Sequence, residues 1–439
     1  MFQGISLAYA PPFGVVIGFF ANACAWLIAL GVWLVCGGFA SFESGAPHFI
    51  ASLHLFVIGF VVFVMFGALS QMLPVLAGVK LWRVRLTAAV TQLGLNTGLV
   101  FFLLAFTGSQ TPFNAFAAAA FCLACGGGGF LLNALLSLRK IAKFTPTIAF
   151  LTTSLALFTL LFACGVLMLG DYGGLWALPH GFLRLLHIFV GAFGGVFALV
   201  LGVCLQVLPM FYVAKPFPKP LFALLVPLVL ALIFLLTTLF ASNAAWQNSN
   251  LILAFSKSLL CGLCTLFGVV ALFQLKGRKR RVLDNNIPFF YAAFSLLSLF
   301  GVAGFASVIL VQEWLFKLAL IALFCGFLPA IIFAMFYKII TFLAWFHLNF
   351  LGVMQLPNIK KILPSRLIRA HFFILLATLC AALVGFFDAE FARLNLLVGV
   401  GFLLQGAFAF GSALACYKCY FQGRKLPKFQ FETPAQTAA

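Results

Sequence analysis

Polar positions along this chain are confined to short punctuation between long apolar runs. The runs fall at about 12–38, 48–78, 86–107, 112–137, 146–169, 181–212, 221–241, 250–275, 288–310, 314–346, 370–388 and 393–417. Each is long enough to cross a hydrocarbon layer of roughly 30 Å as a helix. The apolar character is continuous rather than alternating, which excludes spanning strands and leaves helices that satisfy their own backbone. The pattern therefore predicts an all-α, polytopic membrane protein of about twelve transmembrane helices.

Composition agrees and charge adds a direction. Sixty-five per cent of the 439 residues are hydrophobic and 8% charged, so no soluble fold could bury the apolar surface. The loops after the even-numbered runs hold 21 of the 26 basic residues, among them Arg139, Lys140, Arg278, Lys279, Lys360 and Lys361. The opposite loops hold Glu43, Asp171, Glu313, Asp388 and Glu390, five of the seven acids. This segregation places the basic side, and with it both termini, in the cytoplasm. The net charge of +19 is thus topological, with anionic lipid headgroups as its counterpart and no nucleic-acid partner. The first basic residue is Lys80, so the first run lacks the basic flank of a secretory signal and is expected to be a mature span.

A repeat organises the runs. Span two reads His-Leu-Phe-Val-Ile-Gly-Phe from His54, and span six reads His-Ile-Phe-Val-Gly-Ala-Phe from His187. Both end on a shared signature, Gln71-Met72-Leu73-Pro74 and Gln206-Val207-Leu208-Pro209. A fainter copy in span ten aligns Ala334-Met335-Phe336 with Val64-Met65-Phe66 and sets Thr341 where the glutamines stand. Cys122-x-x-Cys125 and Cys261-x-x-Cys264 recur in spans four and eight, at equal distances from the basic loops that follow. Copies about 135 residues apart imply three parallel four-helix units, at 1–143, 144–281 and 282–423, with a short tail at 424–439.

Candidate chemistry concentrates on histidine. His54 and His187 each lie roughly 10 Å below the outer surface at about 1.5 Å per helical residue. Two imidazoles at equal depth can share one metal or flank one haem, or each can bond a backbone carbonyl across a helix interface. His48 and His180 sit nearer the outer interface as further candidate metal ligands, whereas His347 and His371 flank a basic loop and are expected to anchor there. The Cys-x-x-Cys pairs lie mid-span among glycines and are expected to serve close helix packing; Cys325 is a candidate soft ligand. Lys257 is the one basic residue far from both ends. In the Gln-x-Leu-Pro signature, the glutamine is expected to bond the backbone that proline exposes, and Pro329 is expected to kink span ten. No carboxylate lies inside a span, and no His-Glu-x-x-His, phosphate loop or nucleophile elbow occurs, so no enzyme reaction is assigned.

Twelve spans, three four-helix units and an outer-side histidine on span two, His54 with Gly59, resemble the catalytic subunit of haem–copper oxidases. The nearer likeness is to distant relatives of the cbb-type subunit and to NnrS-type membrane proteins. The resemblance implies haem ligation for His54 and a copper-site position for His187, in a bacterial inner membrane. Span seven has no His-His pair and span ten no histidine pair, so a complete oxygen-reducing centre is not expected. The expectation is a non-oxidase relative binding one haem or copper near the outer face. The alternative is a transporter or scaffold without cofactor.

Overall fold

The computed structural model describes residues 9–38, 46–141, 144–219, 228–229, 249–279, 284–387 and 394–429. Eleven helices in this set are long and apolar enough to span a membrane. They are α1 Phe13–Gly37, α2 Pro47–Ala77, α3 Val84–Phe106, α4 Ala115–Leu138, α5 Pro146–Tyr172, α6 His180–Tyr212, α7 Leu253–Lys276, α8 Ile287–Ile309, α9 Glu313–Phe350, α10 Ser365–Phe387 and α11 Leu396–Gly423. The chain is a multi-pass, all-helical membrane protein. The expected span at 221–241 lies outside the described residues, so α7 to α11 correspond to the eighth to twelfth apolar runs.

Local chemistry sets the helix ends. Asn114 caps α4 by accepting from the Ala117 amide, and Thr145 caps α5 by accepting from Ile148, with Pro146 at the first turn where its missing N–H is harmless. Helices α2 and α6 close on left-handed residues, Gly78 (φ 66°) and Val213 (φ 52°). The amides of these residues return to the carbonyls of Pro74 and Pro209. The prolines of the shared signature therefore sit in the final turns. The expected role of the glutamines is not met: Gln71 Oε1 is buried without a partner and Gln206 is exposed.

Five of the described helices carry a wide, π-type turn: Leu34–Gly38 in α1, Leu55–Val62 in α2, Ala124–Gly128 in α4, Val190–Phe197 in α6 and Ala322–Phe327 in α9. Val190 lies 135 residues beyond Leu55, and Ala322 lies 132 beyond Val190. In α9 the wide turn runs directly into Leu328 and Pro329, where a missing amide is accommodated without breaking the helix.

Close contacts in lipid need small residues, because apolar side chains gain nothing by leaving lipid for each other. A Cβ on Gly94 of α3 would stand 2.7 Å from the Cys122 carbonyl of α4. Gly301 of α8 meets the Cys261 carbonyl of α7 in the same way. Both Cys-x-x-Cys segments thus lie at close helix crossings, as the sequence led one to expect. Polar contacts add specificity: Asn22 donates to Gln92 at 3.0 Å, Asn96 to Asn22 at 2.9 Å and Trp26 to Asn96 at 2.7 Å, joining α1 to α3. At the face carrying the basic loops, Lys338 pairs with Asp284 at 2.8 Å instead of reaching to solvent.

Candidate metal centre

His54 stands on α2 immediately before the wide turn, and His187 stands on α6 three residues before its own. A π-type turn shifts the register of everything that precedes it, so it re-aims a side chain without ending the helix. The two imidazoles come together across α2 and α6, with ring centres 6.1 Å apart and planes inclined by 23°. Each ring is also tied to backbone. His54 Nδ1 lies 2.8 Å from the Ile50 carbonyl of its own helix, and His187 Nδ1 lies 3.1 Å from the Leu161 carbonyl of α5.

Those two bonds settle the chemistry of the rings. A carbonyl oxygen only accepts, so each Nδ1 carries the proton and donates it. A neutral imidazole then holds its lone pair on Nε2, which is the metal-binding nitrogen. The carbonyl contact is also the outer-shell support that metal-ligating histidines require, since it fixes both tautomer and ring orientation. Two imidazoles that face one metal from opposite sides at nitrogen–metal distances of about 2 Å place their ring centres about 6 Å apart. The observed separation fits that span. Gly165 on α5 makes room for the pair, because a Cβ there would lie 3.1 Å from His187 Cε1.

The pair connects to one end of the molecule through aromatic rings. Phe102 lies 4.6 Å from His54, Phe106 lies 4.5 Å from Phe102, and Tyr172 lies 5.4 Å from Phe106. Tyr172 is exposed and packs edge-on against His180 at 4.5 Å. His180 Nδ1 is held by Asp171 Oδ2 at 2.9 Å.

The four histidines singled out in the sequence do not converge. His180 belongs to the Asp171 contact, and His48 is exposed and lies 5.9 Å from the Trp33 ring. Among the described residues no three His, Cys, Asp or Glu side chains are grouped to hold an ion, and Cys325 joins no such group. The candidate site is therefore confined to His54 and His187.

His371 differs from the interfacial anchor it was expected to be. It is fully buried, with Nδ1 2.6 Å from the Tyr337 hydroxyl and the Phe333 ring 4.2 Å away. Its Nε2 has no partner. The sequence also held, unread, the amide contacts between α1 and α3. Their signal was the one-turn spacing of Asn22 with Trp26 and of Gln92 with Asn96 inside apolar runs.

Comparison of the chain with protein-family models and with characterised proteins returns no match.

Proposed function

We propose that this chain is an integral membrane protein of haem–copper-oxidase-like architecture that holds one haem or copper through His54 and His187. The observation that carries the reading is the facing pair itself, each ring 6.1 Å from the other and each with Nδ1 committed to a backbone carbonyl. The spacing of the wide turns in α2, α6 and α9, 135 and then 132 residues from Leu55 to Val190 to Ala322, supports three four-helix units within twelve spans. The segregation of basic loops supports a cytoplasmic basic side, with the histidine pair toward the outer face of a bacterial inner membrane.

Bound there, haem iron or copper supplies one-electron chemistry. The chain's own contribution is to fix the two ligand tautomers and to pack Phe102 against His54. The absence of a carboxylate at the pair and the isolation of His48 and His180 favour a redox or sensing role over oxygen reduction. The absorption spectrum of protein purified from haem- and copper-replete cells tests this. A Soret band, or stoichiometric copper, that disappears in His54→Ala and in His187→Ala supports it. A colourless, metal-free preparation would falsify it and leave the transporter or scaffold reading.

A further inference from the structure

Below the histidine pair, toward the basic face, lies a cavity of about 70 Å³. Phe20 of α1 and three helices with the same spacing build it. Val64, Met65, Ala68, Leu69 and Met72 come from α2; Leu199, Val200, Val203 and Cys204 from α6; Ile331, Ile332, Met335, Phe336 and Ile339 from α9. On each of these three helices the first of these follows the start of the wide turn by nine residues, as Val64 follows Leu55, Leu199 follows Val190 and Ile331 follows Ala322. By that register Met335 and Cys204 lie within one residue of the same level, with Met72 about one turn toward the basic face and Met65 about one turn toward the histidines.

The wall contains no polar oxygen or nitrogen side chain, so it offers water none of the two to four partners a buried water needs. It does contain sulfur. Three of the chain's seven methionines line this one cavity, together with a cysteine. Methionine is the residue that closes irregular gaps, because its unbranched side chain adapts to them. Here three adaptable side chains surround a space and leave it open.

We infer that this cavity is a Cu(I) site whose ligands are Met72, Cys204 and Met335. Thioether and thiolate sulfur select Cu(I) over harder divalent ions. Charge selects it as well. A monovalent cation bound to one thiolate and two neutral thioethers sums to zero, so burial in an apolar wall carries little desolvation penalty; a divalent ion would leave an uncompensated charge. Binding exchanges one proton for one ion: the Cys204 thiol releases its proton to solvent as the copper–sulfur bond forms, and no electron is transferred. Met65, on the histidine side of this level, is placed to receive the ion next. The inference stands on the cavity and its sulfur, independently of the histidine pair.

The test is anaerobic Cu(I) titration of the purified full-length chain against a chromophoric Cu(I) chelator, with X-ray absorption at the copper edge to identify the donor atoms. One equivalent per chain with sulfur as its dominant neighbour is expected. It should persist in the His54→Ala/His187→Ala double variant and in Met168→Leu, which lies outside the cavity. It should be lost in Met72→Leu/Cys204→Ala/Met335→Leu, whose two leucines nearly conserve volume. Each single substitution should weaken it by about tenfold or more. Absence of a sulfur-bound equivalent in the unmodified chain, or its survival in the triple variant, overturns the inference. Copper bound only through nitrogen, and lost with the histidines, overturns it while leaving the histidine site standing.

Discussion

Two histidine arrangements in the same molecule, one half-buried and one fully buried, differ in what holds Nδ1. At the α2–α6 contact, both rings spend Nδ1 on a backbone carbonyl and keep Nε2 as a lone pair. At the α9–α10 contact, His371 spends Nδ1 on the Tyr337 hydroxyl inside a cage of phenylalanine rings. A tyrosine hydroxyl donates as well as accepts. If it donates to Nδ1, the imidazole proton sits on the unpartnered Nε2; if it accepts from Nδ1, the lone pair stays on Nε2. Burial alone therefore does not mark a ligand. A carbonyl partner fixes the tautomer, whereas a hydroxyl partner leaves it open.

The sharpest way to break this contrast is to remove one ring from each place. His54→Ala or His187→Ala should abolish the bound haem or copper outright, whereas His371→Leu should leave it at full stoichiometry, as read by metal analysis of the purified variants. Retention of the metal in the first two would sink the distinction. Next in size is stability at the second site. Tyr337→Phe removes the one partner of a fully buried imidazole and should cost about 1–3 kcal/mol, whereas Tyr337→Phe combined with His371→Leu should recover most of that loss. Thermal unfolding in detergent checks this, and a double variant no more stable than the single one would contradict the pairing.

A smaller effect should separate the ring from its support. Gly165→Ala places a methyl 3.1 Å from His187 Cε1 and should weaken metal binding by about tenfold through ring displacement alone. Gly262→Ala on α7, where a Cβ meets nothing within 4 Å, should not change it. Equal affinities in a metal competition titration would show that the ring is not held where the geometry places it. The smallest change is expected at the exposed end. Asp171→Asn removes the half-buried contact to His180 and should shift stability by less than about 1 kcal/mol without altering metal content. A loss of metal in this variant would bring His180 back as a ligand.

Much of the architecture was legible along the chain, because lipid tolerates only continuous apolar helices. The apolar runs mark eleven of the observed helices to within a few residues, and the Cys-x-x-Cys segments fall at close crossings as expected. The meeting of His54 and His187 was legible too, from matched depth on matching helices. The alignment of span ten with spans two and six was only half legible. Aligning Met335 with Met65 displaces it from the structural register, in which Met335 stands level with Ala68. Three residues is nearly one helical turn, so the apolar face is the same in either alignment and hydropathy cannot choose. The wide turns decide it, and a π-type turn has no sequence signature beyond proline and glycine nearby.

The fate of His371 was illegible for a different reason. Its place seven residues into α10 beside a basic loop reads as interfacial, yet the partner that buries it, Tyr337, is 34 positions away on α9. Nothing local to either residue announces that contact. The same holds for Ile50 and Leu161, whose carbonyls decide the tautomers of His54 and His187. Backbone acceptors have no residue type, so the sequence named the candidate ligands without naming the carbonyls that set their tautomers.

The most direct measurement is the metal content per chain of protein as isolated, compared between the unmodified chain and the His54→Ala/His187→Ala double variant. The account predicts a fall of one equivalent of iron or copper per chain, with the helical fold retained by circular dichroism. Equal metal content in the two preparations, or none in either, would contradict it.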